Sequence, residues 1–507
     1  MTVELTGEPL RESDVVDIAR HGEDVTLSAA AVAAMEASSR HVQALAHAET
    51  PVYGISTGFG ALATQHIPID RRADLQRSLI RSHAATNGRL VDREVVRGLM
   101  LLRLRTLSTG RTGVRPVVAQ TLAALLNEGI EPAVREFGSL GCSGDLAPLA
   151  HVALAVMGES ECAAEMADAG IEPVVLQEKE GLALINGTEG MLAMLCLALH
   201  DLRRLVTTAD LAAAMSVEAL LGTDRTFADD LQQLRPQPGQ AVSAANMRSL
   251  LAGSQIVASH SGPEDTRVQD AYSLRCAPQV AGACRDTIDH AARVASYELA
   301  STIDNPVVLA DGRVESNGNF HGAPVGYVLD FLAIAAADLA SISERRTDRT
   351  LDKSRSHGLP PFLAHEPGVD SGHMIAQYTQ AGLVSELKRL AVPASVDSIP
   401  SSAMQEDHVS MGWSAGLKLR RAVDALQRVL AIEILTAARA IDLRAPLRPA
   451  AATGAAVAAL RERVAGPGPD RYLAPEIEAA VHAVADGSLL DAANLSGPEH
   501  QDDAQPS

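Results

Sequence analysis

Within Gly138-Ser139-Leu140-Gly141-Cys142-Ser143-Gly144-Asp145-Leu146-Ala147-Pro148-Leu149-Ala150-His151, a thiol and a hydroxyl stand side by side in a backbone with three glycines in seven residues. Such a backbone folds tightly, because glycine admits conformations closed to other residues. Glycine-rich bends cradle phosphate when Gly-Lys-Ser/Thr follows, and none follows here. Two other chemistries stay open. Cys142 beside Ser143 suits a thiol nucleophile. Alternatively, the amide nitrogen of Gly144, unhindered by a Cβ, closes on the carbonyl carbon of Cys142 to give a five-membered ring. Loss of water from that ring, and of the Ser143 hydroxyl, leaves an exocyclic methylene: a strong electrophile made from the chain itself.

The chain that must position this loop has 507 residues, enough for a large core and, by length, roughly two to four domains. Aromatic residues are only 3% of it, so the core is built from Ala, Leu, Val and Ile, a mixture that favours closely packed helices. A net charge of −20 argues against a nucleic-acid partner, whose phosphates need a basic surface, and serves solubility instead. Cysteines at 142, 162, 196, 276 and 284 are odd in number and contain no C-x-x-C pair, against a disulfide framework or a zinc site. No H-E-x-x-H or other convincing metal spacing appears. The N-terminal Met-Thr-Val-Glu-Leu-Thr-Gly-Glu lacks the basic and apolar regions of a signal peptide. The apolar run Tyr327–Ala340 is shorter than the roughly 20 residues of a membrane span and is broken by Asp330 and Asp338. A reduced, cytoplasmic protein with no membrane or nucleic-acid partner is expected.

Periodicity predicts a short strand at Thr2–Thr6, a helix at Ser28–Ala48 capped by Ser28, and a glycine-punctuated loop at Pro51–Gly60. Helices follow at Asp70–Ser82, Asp92–Thr106 and Arg115–Asn127, with a short one after His151 and a small strand at Val174–Leu176. From Glu189 the helices lengthen: Glu189–Gly222, Ala281–Ile303, Val325–Arg355, Gly372–Ala391 and Gly412–Asp442. Pro475–Asp491 is a last helical region, and the polar, acidic residues 496–507 are expected to be a disordered tail. Helices of roughly 20–30 residues suit a bundle extending across subunits. The expected fold is mainly α: a long-helix bundle core at 191–495, with a smaller N-terminal α+β domain at 1–190 carrying the reactive loop.

Taken singly, other residues have plain readings. Tyr53 falls in a turn, His83 at a helix end, and Asn186 in an Asn-Gly turn. Gln269, Tyr272 and Arg275 sit in a polar loop, Phe320 anchors a core, and Glu406 supplies negative charge ahead of a helix N-terminus. As a set they are not plain. The fourteen-residue string is joined, in order, by Tyr53-Gly54-x-x-Thr57-Gly58-Phe59-Gly60, Gln269-Asp270-x-Tyr272-Ser273-Leu274-Arg275, Gly318-Asn319-Phe320-His321 and the stretch Pro393–Met411. This pattern resembles the histidine/phenylalanine/tyrosine ammonia-lyase family over nearly all of the chain, from Thr6 to Asp491.

The resemblance implies that Cys142, Ser143 and Gly144 cyclise autocatalytically to MIO (4-methylidene-imidazol-5-one), with the Cys142 side chain a mere substituent and no metal or diffusible cofactor. It implies an aspartase/fumarase-like architecture and a homotetramer with shared active sites. The substrate amine would add to the Ser143-derived methylene. Tyr53, on a lid, would take the β-proton, which requires a phenol more acidic than its ordinary value of about 10; Glu406 is the rival base. Arg275 would clamp the substrate carboxylate through its planar fork. Asn186 would lie beside the ring, Gln269 and Tyr272 would support ring and substrate, and Phe320 would flank the ring. His83 and Glu406 resemble the histidine-specific branch, since a carboxylate answers an imidazole N–H and is poorly satisfied beside a phenyl ring. The implied reaction is removal of ammonia from L-histidine to give trans-urocanate, the first step of histidine degradation. Glu189, where many relatives carry glutamine, receives no role. Three alternatives remain: an MIO lyase or 2,3-aminomutase for another aromatic amino acid, an inactive helical scaffold that never forms the ring, and a Cys142 thiol hydrolase.

Overall fold

The computed structural model describes residues 2–47, 54–55, 57, 67–260, 262 and 268–495. Helices dominate it, as the mainly α expectation has it. The chain forms two compact units that interleave in sequence, one of residues 1–200, 292–330 and 393–417, the other of residues 201–291, 331–392 and 418–507.

In the first unit, strands Thr2–Leu5 and Asp24–Leu27 pair in parallel, with Thr2 opposite Asp24. The helix Glu12–Arg20 connects them. Ser28 then caps the helix Ala29–Ala46, its Oγ accepting from Ala31 N at 3.1 Å, which answers one of the donors a helix start leaves open. The central element is the helix Arg93–Ser108, buried from Val95 to its end and packed on Glu12–Arg20 and Pro116–Asn127. It carries cations into that core. Arg97 donates to Ile18 O and Leu126 O, each at 3.0 Å, and pairs with Glu131 at 2.9 Å. Guanidinium groups used in this way satisfy carbonyls where water is excluded.

The small strand expected at Val174–Leu176 does not form. A strand needs a partner strand for its backbone groups. Here Val174 N goes to Val156 O at 3.0 Å and Val175 O accepts from Arg115 Nη2 at 2.7 Å, so the segment is tied down by single bonds.

In the second unit, helices at Pro238–Leu251 and Ala451–Arg461 add to those the periodicity indicates. The region Pro475–Asp491 is two helices, Ala474–Ala485 and Ser488–Ala492, separated by Gly487 at φ +76°. Arg346 and Glu433, both about fully enclosed, join through two bonds of 2.5 and 2.8 Å. Ser216 and Ser343 hydroxyls also donate to Glu433, at 2.7 and 2.5 Å. Arg346 is thus used in a structural pair.

The run Tyr327–Ala340 belongs to a 29-residue helix, Ala323–Leu351, long and apolar enough to cross a membrane by composition. Its most apolar window is 61% buried inside the protein, which marks a packed core helix. Tyr327, Phe331 and Ile334 remain exposed at a spacing that lines up one face of that helix.

Arg346→Met strands a buried carboxylate, and the expected cost is about 3–5 kcal/mol. The double variant Arg346→Met/Glu433→Leu is expected to lose less. Urea midpoints of the two proteins check this, and equal losses would contradict it.

Candidate active site

Gly141 and Gly144 adopt left-handed conformations, φ +66° and +73°, which a Cβ disfavours. At Gly144 space is the harder limit: a Cβ there would lie 1.9 Å from Gly187 O. The two glycines form a backbone bridge, and Asp145 N donates to Gly187 O at 2.7 Å. The first half of the loop is held by two other segments. Gly141 O accepts from Gly322 N at 3.1 Å and from Ser410 Oγ at 2.7 Å, and Leu140 O accepts from Met411 N at 2.8 Å.

Glu406 meets the Cys142 and Ser143 side chains. Ser143 Oγ donates to its Oε1 at 3.0 Å and Cys142 Sγ to its Oε2 at 3.1 Å, while Ser401 Oγ donates to the same Oε2 at 2.8 Å. The backbone that presents Glu406 is strained, with Ser402, Ala403 and Met404 all left-handed at φ +50°, +52° and +70°. Burial first, and then the Glu406 carboxylate, push the Cys142 thiol up to about 12. A thiol with that value supplies no thiolate near neutrality, which removes the basis for a Cys142 nucleophile.

Asp145 lies fully enclosed beneath the loop. Its carboxyl oxygens accept from Met191 N at 2.9 Å and Ser139 Oγ at 2.8 Å, so it answers the first turn of the helix Glu189–Ala219. Burial outweighs these donors and raises its carboxyl to about 7. Asn186, also buried, donates from Nδ2 to Asn305 O at 3.3 Å and accepts at its backbone carbonyl from Arg103 Nη1 at 2.9 Å. Among the described residues, its buried Oδ1 has no hydrogen-bond partner. A compressed loop that tolerates no Cβ at Gly144, one residue from an amide oxygen still to be answered at Asn186–Gly187, fits a ring closed between Cys142 and Gly144.

His83 and Phe320 lie in the same unit. His83 Nδ1 donates to Leu79 O at 2.8 Å, which leaves Nε2 as the acceptor in the neutral ring. Phe320 is half-buried in the turn that leads to Gly322. Gln269, Tyr272 and Arg275 belong to the second unit. Gln269 is exposed and Tyr272 is 72% exposed. The Arg275 guanidinium lies over the Tyr272 ring, 4.6 Å from its centroid, with Nε donating to Asp270 O at 3.0 Å. Tyr53 lies outside the described residues. The sequence reading gives no role to Ser139, Asp145 or Arg103, and withholds one from Glu189; for Arg103, the one available signal is a cation inside an apolar helical run.

An aromatic amino acid lyase family model matches residues 10–462. A histidine ammonia-lyase from Streptomyces griseus is 65% identical over 499 residues, spanning 96% of this chain and 97% of that protein. Among solved structures, a tyrosine aminomutase from Streptomyces globisporus matches with a TM-score of 0.91 at 36% identity, covering 97% of this chain and 98% of its own. A histidine ammonia-lyase from Trypanosoma cruzi matches with a TM-score of 0.90 at 36% identity, covering 98% and 96%.

Gly144→Ala places a methyl where Gly187 O stands, at a φ that alanine resists. The expected product is a chain that keeps both waters, seen as the full unmodified intact mass. A two-water deficit in that variant would contradict the packing argument.

Proposed function

The chain belongs to the aromatic amino acid lyase family, and we propose that its reaction is elimination of ammonia from L-histidine to give trans-urocanate. The observation that carries the substrate assignment is the Glu406 carboxylate bonded to both Cys142 and Ser143. It puts an anionic acceptor beside the reactive loop, suited to an imidazole N–H and costly beside a bare phenyl ring. The 65% identity to a histidine ammonia-lyase supports the same choice.

Cys142, Ser143 and Gly144 would form the MIO ring, which would supply an electrophilic methylene carbon to the substrate amine. Around it, Glu406 accepts from the imidazole and His83 orients it. Arg275 clamps the carboxylate through its fork. Asn186 offers its unanswered amide oxygen to the polar end of the substrate. Gln269, Tyr272 and Phe320 shape the remaining walls. Tyr53 takes the β-proton, with Glu406 the rival base. The proposed enzyme is a cytoplasmic homotetramer. An odd number of cysteines without a C-x-x-C pair supports a reducing compartment, and the exposed face of Tyr327, Phe331 and Ile334 supports association.

Purified protein is expected to build the conjugated urocanate absorbance with L-histidine, but not with L-tyrosine or L-phenylalanine, and to release ammonia in step. Ser143→Ala abolishes this activity and Cys142→Ala retains it, since alanine also permits ring closure. Glu406→Gln lowers kcat/KM for histidine by about 10- to 100-fold, the worth of one charge-assisted hydrogen bond. A β-amino acid that keeps its amine would move the assignment to an aminomutase, the activity named for one structural neighbour.

A further inference from the structure

Arg103 sits in the helix Arg93–Ser108 between Leu102 and Leu104, with its side chain wholly enclosed. Its Nη1 donates to Asn186 O and its Nη2 to Ile303 O, each at 2.9 Å. Glu189 Oε1 lies 3.3 Å from Nη1 and also accepts from Thr106 Oγ1 at 3.1 Å. A buried ion pair is a poor source of net stability, because desolvation cancels most of the attraction. What it supplies is direction: a rigid fork fixes the carbonyls it holds.

The carbonyl at 186 leads straight into Gly187. On one side, Gly187 O accepts from Asp145 N and fills the place a Cβ on Gly144 would take. On the other, a Cβ on Gly187 would come within 2.2 Å of Glu189 Oε2 and 2.8 Å of Arg103 Nη1. The Asn186–Gly187 turn is therefore a spacer with Gly144 on one face and the ion pair on the other.

We propose that Arg103, paired with Glu189, is a positioning residue for maturation of the reactive loop: it backs Asn186–Gly187 so that the turn presses Gly144 into closure on Cys142. This rests on the ring-forming reading above. Closure joins Gly144 N to the Cys142 carbonyl carbon, and the Cys142 oxygen leaves as water with the amide protons of Ser143 and Gly144. The Ser143 hydroxyl leaves as a second water with the Ser143 Cα proton. Arg103 and Glu189 neither gain nor lose atoms; their part is to hold the geometry.

Intact mass of full-length Arg103→Met, Glu189→Gln and Gly187→Ala, beside the unsubstituted protein, tests the proposal. An unsubstituted chain without the two-water deficit would sink the ring-forming reading itself, whatever the variants do. Given that deficit, Arg103→Met is expected to be soluble with an unchanged helical circular dichroism signal and to show about tenfold fewer chains with both waters lost. Glu189→Gln keeps an acceptor for Thr106 and Arg103 and is expected to mature fully. A folded Arg103→Met with complete water loss and unchanged KM and kcat overturns the proposal. If Arg103→Met is insoluble, Gly187→Ala decides, because both residues of the pair remain while the added methyl, which would meet Glu189 Oε2 and Arg103 Nη1, forces turn and pair apart. A folded Gly187→Ala that retains its waters supports the role, and one that matures completely overturns it.

Discussion

One carbonyl oxygen organises the first unit. Gly187 O stands so near Gly144 that no side chain fits between them, and two bare backbones meet where most proteins place a packed side chain. Glycine loses more freedom on ordering than any other residue, so a loop built on Gly138, Gly141 and Gly144 does not hold itself. Its order comes from outside: the amide of Asp145 on Gly187, the amide of Gly322 and the hydroxyl of Ser410 on Gly141, and the amide of Met411 on Leu140.

The same unit places charge where charge is expensive. Arg103 with Glu189, Lys179 with Asp304, and Arg97 with Glu131 all lie in the interior of the first unit. An apolar core of the same volume would hold the helices together as well, but it would leave the carbonyls of Asn186 and Ile303 without directional partners. Asp145 shows the tension plainly. Its acceptors face the N–H groups of a helix start, which favours the anion, yet enclosure prevails and the carboxyl titrates near neutrality, at about 7. The second unit uses the same device with another purpose, since Arg346 and Glu433 tie helices together with two serines.

Local signals were legible in the sequence, and non-local ones were not. Ser28 caps its helix and Gly412–Asp442 spans the range its pattern indicates, because capping and periodicity act over a few residues. The glycine spacing around Cys142 announced a tight loop for the same reason. Val174–Leu176 carried strand-like residues, but strand formation depends on a partner that the fold does not bring. Gly487 divides the helical region Pro475–Asp491 in two, since a single left-handed residue outweighs the flanking pattern. Arg103 was hidden most completely. An arginine in an apolar helix looks the same in sequence whether it snorkels to water or is enclosed, and its partners at Asn186 and Ile303 are 83 and 200 positions away.

The three left-handed residues before Glu406 bear on how this protein can change. Ser402, Ala403 and Met404 hold conformations that glycine or asparagine would adopt with less strain. Relaxing them would favour the folded chain locally while widening the set of positions open to the Glu406 carboxylate. The segment is therefore where local stability and a fixed aim for the Glu406 carboxylate pull in opposite directions, and selection for robustness alone would be drawn to the very residues that aim it.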